Sequence, residues 1–370
     1  MAIFGGSERL PRLAFRLSMI AWLPYAILDL FGGPDIQSSL VFLGRDFSVH
    51  ARFLIAVPVF ILARKIIYWK GSIAVHHFLK SELLRDDAQR SLAINTLEKI
   101  TRFFQSKVYF LIPAAGVLVF LILRISLLTK SWDIDWLNSE QNPPRSHLAE
   151  LWLLWVCLPI YQYLLIDWTL RVGAWSLMLW KFSRLDLVLN PLHPDGRGGL
   201  AFLNSPQIAF APLCFATAVV LTADQRGYFL QASLPLEPIV VIALTILVPC
   251  LVLFLGPLLF FTPALFMKKD PLLLADAQFG GVITTEFQKR WIENSSIAGS
   301  SDKTALDRPD LSAFTDYITI FASATRMRII LIDKLSLIPF LVATLIPLFA
   351  LLLVRLPLKE IFELVAKTAM

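Results

Sequence analysis

Residues 238–262 read PIVVIALTILVPCLVLFLGPLLFFT, and this stretch decides the fold class of the chain. It contains no charged side chain, and a helix of this length reaches across a hydrocarbon core of roughly 30 Å. The composition agrees, since 56% of the residues are hydrophobic and only 17% are charged. A soluble domain carries roughly 25% charged residues, so the sequence predicts an integral membrane protein.

Apolar runs on both sides of this stretch predict a single integral membrane domain over residues 1–370 with about seven spans. The predicted spans are 13–31, 52–69, 108–128, 149–178, 203–223, 238–262 and 335–354. The fold class is therefore all-α, a polytopic membrane helix bundle with amphipathic cytoplasmic helices. Pro206, Gln207 and Pro212 interrupt the first half of the fifth span, where a re-entrant helix followed by a shorter span is the alternative.

The lysine and arginine residues divide unevenly between the two sides of the predicted bundle. Residues 1–16, 64–107, 171–199 and 268–334 fall on one side and hold 25 of the 34 basic residues. Because basic residues concentrate in cytoplasmic loops, this side and the N-terminus are predicted to be cytoplasmic. The C-terminus is then outside, and its tail, 357–370, predicts a short interfacial helix. An even number of spans is the alternative.

Two predicted cytoplasmic segments, 70–107 and 268–334, are long enough to form helices of their own. Apolar residues recur at helical spacing in the first segment and predict one amphipathic helix over 71–106. In the second segment they predict one helix before the polar loop 294–302 and another after Pro309. Packing within the molecule or on the membrane surface is the favoured role, and docking of a partner protein or a second copy is the alternative.

One pair of opposite charges lies inside a predicted span. Asp167 falls in the inner part of the fourth span, and Arg171 follows it four residues later on the same helix face. This spacing permits an ion pair, and charges within a bilayer are the first candidates for functional residues. Asp167 and Arg171 are therefore a predicted intramembrane polar pair, which either satisfies itself at the interface or lines a polar cavity.

The loop after the fourth span, NPLHPDGRGGLAFL at 190–203, is the most distinctive stretch of the sequence. Its glycines precede a predicted helix start, where backbone N–H groups favour an anion such as phosphate. The predicted ligand-binding residues are His193, Asp195, Arg197, Gly198 and Gly199. The alternative is a rigid connector in which Asp195 caps the turn.

No cofactor, metal site or catalytic centre is predicted. The three cysteines, Cys157, Cys214 and Cys250, lie in separate apolar runs without metal-ligand spacing. The sequence contains neither a phosphate-binding P-loop nor a nucleophile elbow, which disfavours an enzyme. The net charge of +6 comes from basic residues that flank the apolar runs, which indicates membrane lipids rather than nucleic acid as partners.

Four segments resemble a group of uncharacterised bacterial polytopic inner-membrane proteins that carry an LHPDxxGGLxFL loop. The segments are LHPDGRGGLAFL (192–203), FGGVITTEFQKRW (279–291), DLSAF with RMR (310–314 and 326–328) and PLKEIF (357–362). The resemblance covers about the last 180 residues. It implies a bacterial inner-membrane location and a shared fold. It implies no activity. In that location, the outside C-terminus that the basic residues predict is periplasmic.

Three functions are consistent with these features. Spans that each contain proline, together with the intramembrane pair, favour a transport or pore-like role. The two cytoplasmic segments favour an oligomeric scaffold or partner subunit, and the loop favours a membrane-embedded enzyme or sensor for a phosphate-bearing ligand. Transport is the first expectation, because no separate soluble domain of ordinary size is predicted.

Overall fold

The computed structural model describes residues 10–32, 36–130, 147–225, 236–289 and 309–355. These residues fold into helices, and the bridge between Leu84 and Leu187 is the one β-type pairing among them. Five helical stretches in this part of the chain are long and apolar enough to cross a membrane. They are Leu10–Gly32, Lys107–Ser126, His147–Ser183, Ala201–Asp224 and Val240–Glu286. The all-α prediction is confirmed, and the chain has the helices of a membrane protein.

The helices are labelled in chain order. The first half of the chain contributes α1 (Leu10–Gly32), α2 (Ile36–Arg45), α3 (Phe47–His50), α4 (Val57–Lys80), α5 (Asp87–Gln105), α6 (Lys107–Lys130) and α7 (His147–Trp152). The second half contributes α8 (Leu158–Ser183), α9 (Asn204–Ile208), α10 (Ala211–Asp224), α11 (Leu236–Leu255), α12 (Thr262–Gln288), α13 (Pro309–Arg326) and α14 (Lys334–Arg355). Short irregular turns join several of them, with π-helical turns at Ala51–Ala56 and Leu153–Cys157 and 3-10 turns at Ala201–Leu203 and Gly256–Phe261.

Helix α10 lies at the centre of the bundle and packs against α4, α11 and α14. Its small side chains permit this close approach, as is usual between membrane helices. Ala216 and Ala218 are fully buried. Weak polar contacts add to the packing, since the Cys214 thiol lies 3.4 Å from the Thr344 hydroxyl on α14.

The span that contains α10 is broken near its start, as its prolines predict. The 3-10 turn Ala201–Leu203 and α9 precede α10, which begins anew with Pro212 in its first turn. Gln207, which is fully buried, supports the break. With its amide oriented to satisfy both groups, its nitrogen donates to the Phe254 carbonyl at 2.8 Å and its oxygen accepts from Trp175 Nε1 at 3.3 Å. Irregular backbone at membrane depth requires this kind of burial in protein.

The two π-helical turns share one cause. Pro58 follows the turn Ala51–Ala56, and Pro159 follows the turn Leu153–Cys157. A proline has no N–H to donate to the carbonyl four residues earlier, so the preceding turn widens. Helix α1 packs over both turns. The α4 and α8 helices therefore each contain a bend within the apolar part of the chain.

The prediction of one helix over 71–106 is wrong. Helix α4 continues to Lys80, Ser81 takes an extended conformation, and α5 begins at Asp87. Tertiary contacts hold the intervening turn open, because the backbone N–H of Val188 donates to the Leu83 carbonyl at 2.8 Å. The segment therefore consists of two separate helices joined by a turn.

The second predicted cytoplasmic segment agrees with the structure in part. Helix α13 begins at Pro309, as predicted. Helix α12 is longer than predicted, because it starts at Thr262 and continues through Pro271 to Gln288. The polar loop 294–302 and the tail 357–370 lie outside the described residues.

Candidate functional site

Four side chains from three helices meet in a buried group that we call the tetrad. It consists of Arg64 on α4, Tyr109 on α6, and Asp167 and Arg171 on α8. The four-residue spacing on α8 places Asp167 and Arg171 on one face, toward the other two helices. The structure thus pairs the two residues that the sequence singled out, and adds two partners to them.

Asp167 is the centre of the tetrad. Its Oδ2 atom accepts hydrogen bonds from Arg64 Nη2 at 2.6 Å and from Arg171 Nε at 2.8 Å. Its Oδ1 atom accepts from Arg171 Nη2 at 3.1 Å and from the Tyr109 hydroxyl. Arg171 also donates to the Tyr109 oxygen at 2.6 Å. Both carboxylate oxygens are therefore satisfied, as a buried carboxylate requires.

Aromatic rings enclose the Arg171 end of the tetrad. The guanidinium carbon of Arg171 lies 5.5 Å from the Phe104 ring centre and 5.6 Å from that of Tyr109. Rings at this distance attract a cation through their negative faces. On the other side, Trp168 donates to the Phe60 carbonyl of α4 at 2.9 Å. These contacts fix Arg171 in place.

The tetrad holds two guanidinium groups and one carboxylate, so it carries an excess positive charge. Arg64 is the least buried of the three charged side chains, with 19% exposed against 2% for Asp167 and 8% for Arg171. Its Nε atom is buried and has no hydrogen-bond acceptor among the described residues. Arg64 is therefore the charged member of the tetrad that lies nearest to solvent and has an unused donor.

A second ion cluster, which we call the triad, lies at the other end of the same helical stretch. It consists of Ser48, Arg52 and Asp224. Arg52 Nη2 lies 2.7 Å from Asp224 Oδ2, and the Ser48 hydroxyl donates to Asp224 Oδ1 at 2.6 Å. At about 1.5 Å per residue, Arg52 and Arg64 are roughly 18 Å apart along the helix.

Two further side chains extend the polar surroundings of the triad. The Tyr161 phenol on α8 is close enough to interact electrostatically with both Arg52 and Asp224. The exposed Arg124 on α6 is close enough to repel Arg52. The triad therefore also has more arginine than carboxylate in its vicinity.

A groove of about 720 Å³ separates α4 from α5. Its lining residues are Tyr68, Ser72, Val75, His76, Leu79, Ile94, Leu97, Glu98, Thr101 and Arg102. Arg64, Tyr68 and Ser72 recur every four residues along α4, so they share one helix face. Arg64 is not a lining residue, but it lies on the α4 face that lines the groove, one helical turn from Tyr68.

The glycine loop directs its N–H groups at its own carboxylate. Asp195 Oδ1 accepts from the backbone N–H of Arg197 at 2.7 Å and of Gly199 at 3.1 Å, and Oδ2 accepts from that of Ala201 at 3.0 Å. His193 Nδ1 lies 3.0 Å from Asp195 Oδ1. Burial alone would raise the pKa of Asp195, but these backbone and imidazole hydrogen bonds together outweigh it and lower the pKa.

The same loop joins distant parts of the chain. The buried side chain of Arg197 lies 3.2 Å from Asp333 Oδ1, and the backbone N–H of Arg328 donates to the Gly196 carbonyl at 2.8 Å. Gly198 has a φ of +64°, and a Cβ atom there would lie 3.1 Å from Leu265. The loop therefore acts as a connector in the structure, and binding of an external phosphate at these residues stays a hypothesis.

Sequence reasoning missed Arg64 and Tyr109 as members of the tetrad. Arg64 interrupts an apolar run, which marked it only as the end of a span. Tyr109 lies at the start of an apolar run, where an interfacial tyrosine is common. The charge of Arg64 was the available signal, but its partner is 103 residues away in the sequence.

Comparison with known proteins adds no further constraint. No family model, curated protein or solved structure matches the chain. Within the described residues, no group of three or more histidine, cysteine, aspartate or glutamate side chains is placed to hold a metal ion. The chemistry that the tetrad offers is electrostatic, because guanidinium groups bind anions and stay protonated near neutral pH.

Proposed function

We propose that this chain is a bacterial inner-membrane transport protein that moves a small polar solute along the interface between α4 and α8. The proposal includes seven spans, a cytoplasmic N-terminus and a periplasmic C-terminus. It also includes membrane lipids as its surrounding partners. The tetrad then lies toward the cytoplasm and the triad toward the outside. The resemblance of the loop region to bacterial inner-membrane proteins supports this location.

The observation that carries the proposal is the position of the two π-helical turns. The turn Ala51–Ala56 contains Arg52 of the triad and leads into α4, and the turn Leu153–Cys157 leads into α8. Both turns, with their prolines, therefore lie on the triad side of the tetrad, at the start of the two helices that Arg64 and Asp167 join. Helices bend most easily where the regular hydrogen-bond ladder is interrupted. Such turns are frequent at functional sites in helical proteins.

The tetrad supplies the contact that these bends would open and close. Arg64 of α4 reaches Asp167 of α8 through one hydrogen bond. When that bond separates, Asp167 keeps its bonds from Arg171 and Tyr109 and is not stranded. A movement of α4 about Pro58 therefore exposes Arg64 without leaving a buried carboxylate unpaired.

The experiment is a solute-flux assay on purified protein in liposomes. Osmotic swelling is followed by light scattering with potassium phosphate, potassium nitrate and glycerol as separate probes, and valinomycin is added with the two salts so that potassium can accompany the anion. We expect faster swelling than in empty liposomes for at least one probe. Replacing Pro58 and Pro159 together with alanine should straighten both helices and slow that flux. Pro271→Ala on α12 is the matched control. Swelling equal to that of empty liposomes for all three probes would overturn transport.

A second candidate function, an oligomeric scaffold or partner subunit, is favoured by the surface of α12. Charged residues 268–270 mark a membrane boundary on this helix, yet Leu274, Phe279 and Val282 beyond them are more than half exposed. Exposed apolar surface outside the bilayer indicates a protein interface. Native mass spectrometry of the wild type and of Leu274→Ser with Val282→Ser tests this: an oligomer lost in the variant supports a scaffold.

A further inference from the structure

The tetrad contains one more positive than negative charge in a buried setting. An uncompensated charge at membrane depth is costly, and such charges are normally paired. Arg171 is enclosed by Asp167, Tyr109 and Phe104, so its charge is matched within the tetrad. Arg64 shares the Asp167 carboxylate with Arg171 and has no second carboxylate partner among the described residues.

Arg64 also has hydrogen-bonding capacity to spare. A guanidinium group offers five N–H donors in a flat fork. Arg64 uses one of its nitrogens, Nη2, on Asp167, while Nε is buried without an acceptor among the described residues. An unmade hydrogen bond from a buried charged group is unfavourable, and an oxyanion would remove that penalty.

We propose that Arg64 binds an oxyanion of the phosphate class, which reaches it along the groove between α4 and α5. Two oxygens of a phosphate match the Nε and terminal nitrogen of one guanidinium edge. Tyr68, which lies one turn of α4 beyond Arg64 on the same helix face, lines the groove and supplies a neutral donor, whereas the Ser72 hydroxyl donates to the Trp69 carbonyl. The inference deepens the proposed transport function by naming its solute class, and it rests on that function only for translocation.

The same chemistry is available from two sources. A free phosphate ion would enter through the open groove, which is far larger than one ion. The headgroup of an anionic phospholipid would come from the inner leaflet, where such lipids are abundant. Both present phosphate oxygens to Arg64, so the experiment needs separate arms for each.

Binding is measured on purified full-length protein without any flux. Titration calorimetry in a neutral detergent uses inorganic phosphate as the probe. Native mass spectrometry measures retention of phosphatidylglycerol against phosphatidylcholine. For whichever of the two probes the wild type binds, we expect Arg64→Gln to weaken binding about tenfold or more. Arg64→Lys should weaken binding less, because the lysine ammonium keeps the positive charge but cannot form the paired hydrogen bonds of a guanidinium group. Arg85→Gln, at an exposed arginine that pairs with Asp186 outside the groove lining, should change affinity by less than about twofold.

The outcomes separate clearly. Binding of phosphate or of phosphatidylglycerol that depends on Arg64 supports the proposal and identifies the source. Equal binding by the wild type and Arg64→Gln overturns it, as does failure of the wild type to bind either probe. Should Arg64→Gln fail to fold, Arg64→Lys carries the comparison against Arg85→Gln. Binding that depends on Arg64, in a protein that shows no solute flux, would support the anion site and would overturn the proposed transport function.

Discussion

Arg64 Nη2 on α4 donates a 2.6 Å hydrogen bond to Asp167 Oδ2 on α8, across 103 residues of sequence. This bond joins two helices that each begin directly after a π-helical turn and have a proline in their own first turn. It also connects the most exposed charge of the tetrad to its most buried one. The stability of the bundle and the accessibility of Arg64 are therefore linked through one contact.

Loss of the central carboxylate should destabilise the protein more than loss of any partner. Asp167→Asn leaves two guanidinium groups without a counter-charge, and we expect a cost on the order of 3 kcal/mol. Arg64→Gln should cost less, because Arg171 and Tyr109 still satisfy Asp167. Asp167→Asn combined with Arg171→Gln should recover part of the loss. Unfolding free energies from SDS titration in mixed micelles test this order, and equal losses in all three variants would contradict it.

Two glycines of the connector loop allow a matched comparison. Gly196 and Gly198 have φ values of +62° and +64°, which an alanine adopts at a cost of about 1 kcal/mol. A Cβ atom at Gly196 meets open space, whereas at Gly198 it lies 3.1 Å from Leu265 and 3.3 Å from Met327. Gly198→Ala should therefore lower the unfolding free energy by roughly 1 kcal/mol more than Gly196→Ala.

The helical Gly173, with open space around it, is the control for that comparison. Gly173→Ala should leave stability unchanged or slightly raised, since alanine favours helix. Equal unfolding midpoints for Gly196→Ala and Gly198→Ala would show that the loop is looser than its contacts indicate.

The connector loop should also make the folded protein less stable at acid pH. The lowered pKa of Asp195 means that its carboxylate stabilises the folded state above the ordinary aspartate range. This contribution is lost as pH falls through the lowered value, when the carboxyl group takes up a proton. The Asp195→Asn variant should be less stable than the wild type at neutral pH. Between neutral and acid pH it should lose less stability than the wild type does. Thermal unfolding of both proteins from pH 7 to pH 3 measures the difference, and parallel curves would contradict it.

The proposed topology predicts the location of two reporter fusions. A reporter that is active only in the periplasm should be active when fused after Met370. One inserted within 294–302 should be active only if it functions in the cytoplasm. With the N-terminus in the cytoplasm, a cytoplasmic signal from the fusion after Met370 would mean an even number of spans. The seven-span arrangement would then be wrong.

The parts of the structure that depend on local sequence could be predicted. Helical class follows from long apolar runs, and the break before α10 follows from Pro206 and Pro212. The contact between Asp167 and Arg171 needs only their four-residue spacing on one helix. The position of a charge along its own helix is thus readable without knowledge of the packing.

The remaining features depend on packing between distant segments. Arg64 and Tyr109 join the tetrad because α4, α6 and α8 meet there, which no local pattern encodes. Val188 holds the turn after α4 open through a backbone contact, which periodicity over 71–106 does not reveal. The glycine loop illustrates the same limit, since its spacing suits an external anion and an internal carboxylate equally well.

The central place of α10 has a consequence for the synthesis of the chain. Its neighbour α14 begins about 110 residues after α10 ends. At roughly 5–20 residues per second, a ribosome needs on the order of ten seconds to deliver it. During that interval Asn204, which later donates to the Leu331 carbonyl at 2.7 Å, and the buried Thr222 face lipid or the insertion machinery. A chain interrupted before residue 334 would keep these polar groups uncovered, which is the kind of defect that membrane proteases remove.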